Sequence, residues 1–311
     1  MGQITNRQAI CDVLIAEAEK DKDIVVLCSD SRGSASMTPF FKAYPEQSVE
    51  LGIAEQNLVS VAAGLAANGK KAFAVSPAAF LSTRSYEQVK VDVAYSGTNV
   101  KLIGVSGGIS YGALGMSHHA CQDIAALCAI PGMRVYLPSD RFQTAKLIHL
   151  LLQDDMPAYV RVSRSASIDI YDENIELHFN KAHVLSDSGD VLLVACGEMV
   201  ARAKRAAELL VAEGISCSLV DMYCLKPFDA ETVVSLAKKA QCVVTLEEHG
   251  PFGGLGSITA QVLGANCPKP LLQIALPDEH LIPGSMQEMF SHYGMDEAGI
   301  AKKISAFYKE K

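Results

Sequence analysis

One carboxylate in an apolar setting constrains this chain more than any other feature. Leu51-Gly52-Ile53-Ala54-Glu55-Gln56-Asn57-Leu58 runs from a short strand-like stretch into an alanine-rich helix containing Ala62-Ala63-Gly64-Leu65-Ala66. Glu55 falls in the first turn of that helix, where the dipole favours a negative charge, and by that alone it would be an ordinary first-turn acid. Among so many apolar neighbours, however, the charge is costly unless something specific holds it.

The surrounding chain alternates helix with strand. Helical patterns at Gln56–Ala67, Arg84–Ala94 and Arg141–Leu152 lie between β-branched runs at Ile24–Cys28, Ala72–Val75, Val100–Val105, Met133–Leu137 and Ala158–Val162. Thr5-x-x-Gln8 predicts a capping box opening a helix that reaches about Lys20. The stretch from Ser165 to Asp190 is polar and irregular. A second alternation then begins at Val191–Ala195, with helices at Ala201–Glu213, Ala230–Ala240 and Gly256–Leu263 between strands Ser216–Asp221 and Cys242–Glu247. Such alternation predicts α/β domains with mostly parallel sheets flanked by helices. The expected division is a first domain over residues 1–165, a linker over 166–190 and a second domain over 191–311, and 311 residues are comfortable for two domains.

Composition narrows the partners. The net charge of -8, with no Lys/Arg cluster set against it, argues against a nucleic-acid or anionic-membrane surface. No apolar run approaches the roughly 18 residues of a membrane span, and the N-terminus is polar. The nine cysteines are scattered, odd in number and mostly within apolar stretches, with neither a CxxC nor a Cys/His metal spacing. They read as reduced core thiols of a cytoplasmic protein, and no metal ligands are expected in the chain.

The Glu55 segment resembles the pyrimidine-binding domain of the transketolase family of thiamine diphosphate enzymes, which carries G-[IV]-[AR]-E-[QH] where this chain has Gly52 to Gln56. Three further runs follow in order. Phe80-Leu81-Ser82-Thr83-Arg84-Ser85-Tyr86-Glu87-Gln88 is similar to F-x-x-x-R-[AS]-[YFW]-[DE]-Q. Gly115-Met116-Ser117-His118-His119 stands where the family has G-x-T-H-Q. Ile130-Pro131-Gly132-Met133-Arg134-Val135-Tyr136-Leu137-Pro138-Ser139-Asp140 resembles I-P-N-[ML]-x-V-x-x-P-[AS]-D. Four ordered matches are far more specific than any one of them. They imply a pyrimidine-binding domain followed by a transketolase C-terminal domain.

A complete transketolase also clamps the cofactor diphosphate through a divalent metal, using a Gly-Asp-Gly motif. The only Gly-Asp here, Gly189-Asp190, runs straight into a strand, and Gly253-Gly254-Leu255-Gly256 resembles a phosphate-binding nest only superficially. The resemblance therefore implies the C-terminal subunit of a split, two-chain transketolase. It would be active only with a separate N-terminal subunit that carries Gly-Asp-Gly and holds most of the diphosphate and the Mg2+. A heterotetramer of two copies of each chain is the expected assembly.

By the same resemblance Glu55 hydrogen-bonds the cofactor's pyrimidine N1' and favours the imino form that removes the thiazolium C2 proton; a desolvated carboxyl suits such proton sharing. Phe80 would stack on the aminopyrimidine, though by itself it could be one more core Phe. Ile53 and Arg84 would border the cofactor, with Arg84 open to reading as a helix cap or interdomain salt bridge. His118 would donate a hydrogen bond at the substrate end; alone it could be a surface loop residue, and the role of His119 is open. Arg164 would bind a sugar phosphate, for which a guanidinium is suited, or stand as a solvated strand-end arginine.

The pattern departs from the family in one loop. Where split transketolases usually read T-H-A-G-I-x-x-G-E-D-G, Ser106 replaces a histidine and Ala113-Leu114 replaces the acidic pair. With Ser106 and Leu114 at the substrate, the ordinary pentose phosphate becomes a doubtful partner. The expected activity is transfer of a two-carbon ketol unit from a ketose phosphate to an aldose phosphate, with a non-standard sugar. Two alternatives stand beside it: the beta subunit of a 2-oxo acid dehydrogenase, echoed by Gly112-Ala113-Leu114, and a non-catalytic remnant that binds a partner.

Overall fold

The structure is a computed structural model, which describes residues 4–311. Twelve strands among these residues form two sheets: β1 Ile24–Cys28, β2 Ser48–Glu50, β3 Lys71–Pro77, β4 Val100–Val105, β5 Arg134–Tyr136, β6 Ala158–Val162, β7 His183–Ser186, β8 Val191–Ala195, β9 Cys217–Asp221, β10 Cys224–Lys226, β11 Cys242–Leu246 and β12 Leu271–Ile274. The first sheet has the order β10-β5-β6-β4-β3-β1-β2 and the second β12-β11-β8-β9-β7. Every pairing is parallel except the two that involve β10 and β7.

The central strands β1, β4, β6, β8 and β11 are buried along their whole length, as their unbroken apolar runs require in a sheet covered on both faces. One core layer is shared by the two sheets. Val25, Leu102 and Tyr159 of the first sheet and Leu192, Val194 and Val220 of the second belong to a single buried apolar cluster. The other face of each sheet is covered separately.

Three local expectations need correction. The stretch 166–190 is not free of structure: β7 lies within it and adds an antiparallel edge to the second sheet through His183↔Asp221 and Val184↔Val220. Its alternating half-buried and exposed residues are those of an edge strand, which composition alone does not distinguish from a linker. The helix expected at Arg84–Ala94 is instead the single turn Tyr86–Gln88 running into a π-helical Val89–Tyr95, with a separate short helix, Ala78–Thr83, ahead of it. Ser82, Thr83 and Ser85 each turn a hydroxyl back onto the carbonyl four residues earlier, which competes with the helix ladder, and Val89, Val91 and Val93 crowd the next turns. At the N-terminus only half of the capping box forms. The Thr5 hydroxyl accepts from the Gln8 amide, but the Gln8 side chain donates to Asp12.

Strand β10 follows the second domain's β9 yet pairs with β5 of the first sheet, Cys224 opposite Tyr136. The carboxyl ends of β2, β3, β4 and β6 point the same way, so the residues that follow them meet along one edge of the first sheet. Among the described residues no helix is long and apolar enough to cross a membrane.

Candidate active site

Each strand of that edge delivers one element of the site. After β2, Gly52 turns with a positive φ of 69° and the chain enters the helix Glu55–Ala67 with Glu55 in its first turn. Glu55 is 2% exposed. Its Oε2 accepts a charge-assisted hydrogen bond from Arg84 Nη1 at 2.6 Å, while Oε1 accepts none among the described residues and is not sealed from the surface. After β3, the short helix Ala78–Thr83 carries Phe80 and places Arg84 at its C-cap. The Arg84 guanidinium lies 4.8 Å from the centre of the Phe80 ring. Arg84 is thus at a helix end by backbone position, but its side chain serves Glu55 within the same domain and no interdomain bridge.

From Phe80 the wall continues through aromatic contacts. The His118 ring meets Phe80 edge-on at 5.1 Å and Tyr111 edge-on at 5.3 Å. Tyr111 lies 5.0 Å from the Arg164 guanidinium, which enters from the segment after β6. Glu55, Arg84, Phe80, His118, Tyr111 and Arg164 therefore form one continuous line from a buried acid to a cation. His118 is half-buried and its Nδ1 shares a 2.9 Å hydrogen bond with the Ser117 hydroxyl.

The other expected positions sit less directly. Ser106, at the end of β4, is fully buried with a φ of 59°, and its hydroxyl has no partner among the described residues. Leu114 is 55% exposed in the short turn Gly112–Leu114, and Ile53 is 75% exposed beside Glu55. Neither packs onto the aromatic wall in the way that Phe80 and Tyr111 do. His119 has a clear place: it is buried and its Nε2 donates to the Gly112 carbonyl at 2.9 Å, bracing the loop that presents His118. Burial lowers its pKa, so the imidazole is neutral in that role.

Two contributors carry little or no signal in the sequence. Tyr111 is marked only as an aromatic just ahead of Gly112-Ala113-Leu114. Arg7, in the first helix (Asn6–Ala18), is not marked at all. Its guanidinium donates to the Arg164 carbonyl at 2.6 Å and also to the Ser34 carbonyl. Burial and the charge of Arg164 both lower its pKa. Two guanidinium groups so close would each gain from a shared anion.

The glycine-rich Gly253–Gly256 is filled from within. The backbone amides of Leu255 and Gly256 donate to the two carboxylate oxygens of Glu247, at 2.7 and 2.8 Å. A Cβ at Gly254 would lie 2.0 Å from Glu247 Oε2. The nest thus holds an internal carboxylate that caps helix Leu255–Asn266, and it offers no room for a phosphate. All nine cysteines are free. Among the described residues no group of three or more His, Cys, Asp or Glu side chains could hold a metal ion.

Two parallel-sheet domains that share a core, with an acid and an aromatic face at the carboxyl edge of the first, define an α/β protein with a candidate ligand site at a sheet edge. Comparison with known families makes the class definite. The model of the transketolase pyrimidine-binding domain matches residues 2–168 and that of the transketolase C-terminal domain matches residues 180–300. The chain belongs to the transketolase family.

Its relatives include one of the subunits of an apulose-4-phosphate transketolase from Phocaeicola vulgatus, 46% identical over 99% of both chains. A 6-deoxy-6-sulfo-D-fructose transketolase subunit from a Clostridium species is 40% identical over 88% of this chain and 84% of its own length. Among solved structures, a split-gene transketolase described as an inactive beta4 tetramer superimposes with a TM-score of 0.87 at 35% identity, covering 99% of this chain and 98% of that one. The chain is accordingly the C-terminal subunit of a split transketolase, a ketol-transferring enzyme that works with a separate N-terminal subunit.

Proposed function

We propose that this chain supplies the pyrimidine side of a thiamine diphosphate site and the wall along which an anionic sugar lies. The observation that carries the reading is Glu55, a buried acid with one oxygen paired and the other open beside an aromatic face. Those residues suit the aminopyrimidine: Oε1 can share a proton with its ring nitrogen, and Phe80 and Ile53 offer apolar surface to the ring, with Arg84 at its margin. The bound cofactor supplies a carbanion equivalent that carries the two-carbon unit.

The chain's own groups do the rest. Glu55 holds a proton at the pyrimidine nitrogen. His118, half-buried between two aromatic rings, is placed to donate to a substrate oxygen. Arg164 and Arg7 favour an anionic end group, and the Tyr111 ring spaces that end from His118. Leu114 offers the substrate a branched alkyl group, and the Ser106 hydroxyl, buried in this chain, stands where the family has an imidazole. This supports a deoxy, branched or otherwise modified sugar phosphate, or a sugar bearing another acid, over the common pentose phosphates. The diphosphate and Mg2+ fall to the N-terminal subunit with its Gly-Asp-Gly motif, in a heterotetramer of two copies of each chain working in the cytoplasm. The domain limits that suit this reading are residues 1–165 for the first domain and, with β7 counted in the second sheet, a second domain that begins by His183 and runs to residue 311.

The test is ketol transfer by the chain co-purified with its N-terminal partner, across a panel of ketose and aldose phosphates with and without branched, deoxy or sulfonated carbons. Transfer dependent on thiamine diphosphate and Mg2+, fastest on a modified sugar, is the expected result. Transfer that proceeds without added or bound thiamine diphosphate, or equal rates on xylulose 5-phosphate and every modified sugar, would overturn it.

A further inference from the structure

We infer that Arg84 is a positioning residue for Glu55, holding one carboxylate oxygen so that the other meets the pyrimidine nitrogen and biasing the shared proton toward the ring. The inference rests on the thiamine reading above. Three observations support it. Arg84 Nη1 lies 2.6 Å from Glu55 Oε2, and Oε1 is left without a partner among the described residues yet open to the surface. The acid is 2% exposed while the Arg84 side chain is 46% exposed, so the pair joins a buried acid to a partly exposed cation. The arm is also fixed at its base. The Arg84 amide donates to the Phe80 carbonyl at 3.0 Å, and the guanidinium rests on the Phe80 ring.

One short helix therefore presents the stacking face and the arm that orients the acid. Free rotation of a glutamate side chain would leave either oxygen, or neither, directed at a ligand. A guanidinium locked on Oε2 removes that freedom, and a charge-assisted contact is the strong form of hydrogen bond for the purpose. The charge has a second consequence. A proton between a carboxyl group and a ring nitrogen sits where the resulting charges are better stabilised. A cation against the carboxylate favours the arrangement with the proton on nitrogen, and no other bond changes. Because Arg84 is partly exposed, salt weakens this bias without abolishing it.

The test uses the chain assembled with its N-terminal subunit and thiamine diphosphate labelled with 15N in the pyrimidine ring. Its readouts are the N1' chemical shift, which reports where the proton sits, and cofactor affinity by calorimetry. In Arg84→Gln the N1' resonance should move toward the unprotonated position, with affinity changed by no more than about tenfold, the scale of a partly exposed ion pair. Arg84→Lys, which keeps the charge, should return the resonance most of the way. An N1' shift identical in parent and Arg84→Gln would overturn the inference. So would a failure of Lys to restore any of a shift that Gln produces, since charge would then not be the cause. If the parent complex takes up no thiamine diphosphate at all, the functional reading itself fails, an outcome separate from either of these.

Discussion

Glu248 of the second domain reaches into the first, where its Oε1 accepts the backbone amide of Ile109 at 2.7 Å. Ile109 stands two residues before Tyr111, so this contact anchors the loop that carries Tyr111 and His118. Beneath it, Arg161 donates to the Glu248 carbonyl at 2.7 Å and pairs with Asp123 at 3.2 Å. Burial alone would lower the Arg161 pKa, but Asp123 and Glu248 hold it above its usual range. Burial raises the pKa of Glu248, and the nearby Glu198 adds to the effect. A Cβ at Gly108 would lie 2.2 Å from the Glu248 carboxyl carbon, which leaves that position no side chain larger than hydrogen. The second domain thus has a mechanical part in the site: it fixes the loop that its neighbour presents.

Replacing Glu55 by Gln keeps the volume and a hydrogen-bonding group but removes the shared proton. Turnover of the assembled enzyme should fall by about two to four orders of magnitude, the usual scale for a lost proton-transfer group. Circular dichroism and co-purification should be unchanged. Activity within a few-fold of the parent would show that Glu55 is structural.

Arg164→Ala should raise KM for a phosphorylated sugar by about tenfold or more while kcat changes little, because an anion contact made equally in ground and transition states is uniform binding. Arg164→Lys should recover only part of the loss, since the ammonium lacks the planar fork. Equal losses on a neutral sugar and its phosphate would remove Arg164 from the anion subsite.

Leu114→Asp restores one of the acidic positions usual in the family. A pairing of its carboxylate with a sugar hydroxyl should improve xylulose 5-phosphate relative to a deoxy or branched analogue, by about tenfold or more on the scale of one hydrogen bond to a charged group. The ratio of the two kcat/KM values is the quantity to measure. A ratio that stays put would place Leu114 outside the substrate's reach.

Asp221 links the domains and should give folding stability a pH dependence. Fully buried, it accepts hydrogen bonds from Ser139, Gln143 and Tyr171 at 2.9 Å each, all on Oδ2, while Oδ1 has no partner among the described residues. Burial pushes its pKa up to about 7. The folded chain therefore holds this proton from about pH 4, where the unfolded aspartate loses it, up to about pH 7. Across that window the folded state binds more protons than the unfolded state, so the contribution of Asp221 falls as pH rises. Thermal melts should find Asp221→Asn less stable than the parent at pH 5, with the gap closing or reversing by pH 8. A gap constant with pH would refute the assignment.

Local patterning was enough to show much of this. The buried strands β1, β4, β6, β8 and β11 are legible because a strand covered on both faces must be apolar throughout, and Glu55 is legible because a lone acid in such a run needs a reason. Ordered motifs singled out Phe80 and His118 as well, and the family resemblance added Arg164. Partnership is different, because it depends on which strand ends lie side by side. Nothing in the Arg84 segment says that its guanidinium turns to Glu55, 29 residues earlier, since that follows from β2 and β3 delivering their ends to one edge. The same holds for Arg7, brought to Arg164 across 157 residues, and for β10, three residues whose pairing with β5 is set by a sheet edge left open in the other domain. Edge strands such as β7, four residues, and β10, three residues, are too short to set a period in the sequence. The sequence by itself determined the α/β domains and the acid at their functional edge, through burial and periodicity. Only the tertiary structure decided which cation holds that acid and which domain braces the loop beside it, because those contacts are between residues that no local pattern connects.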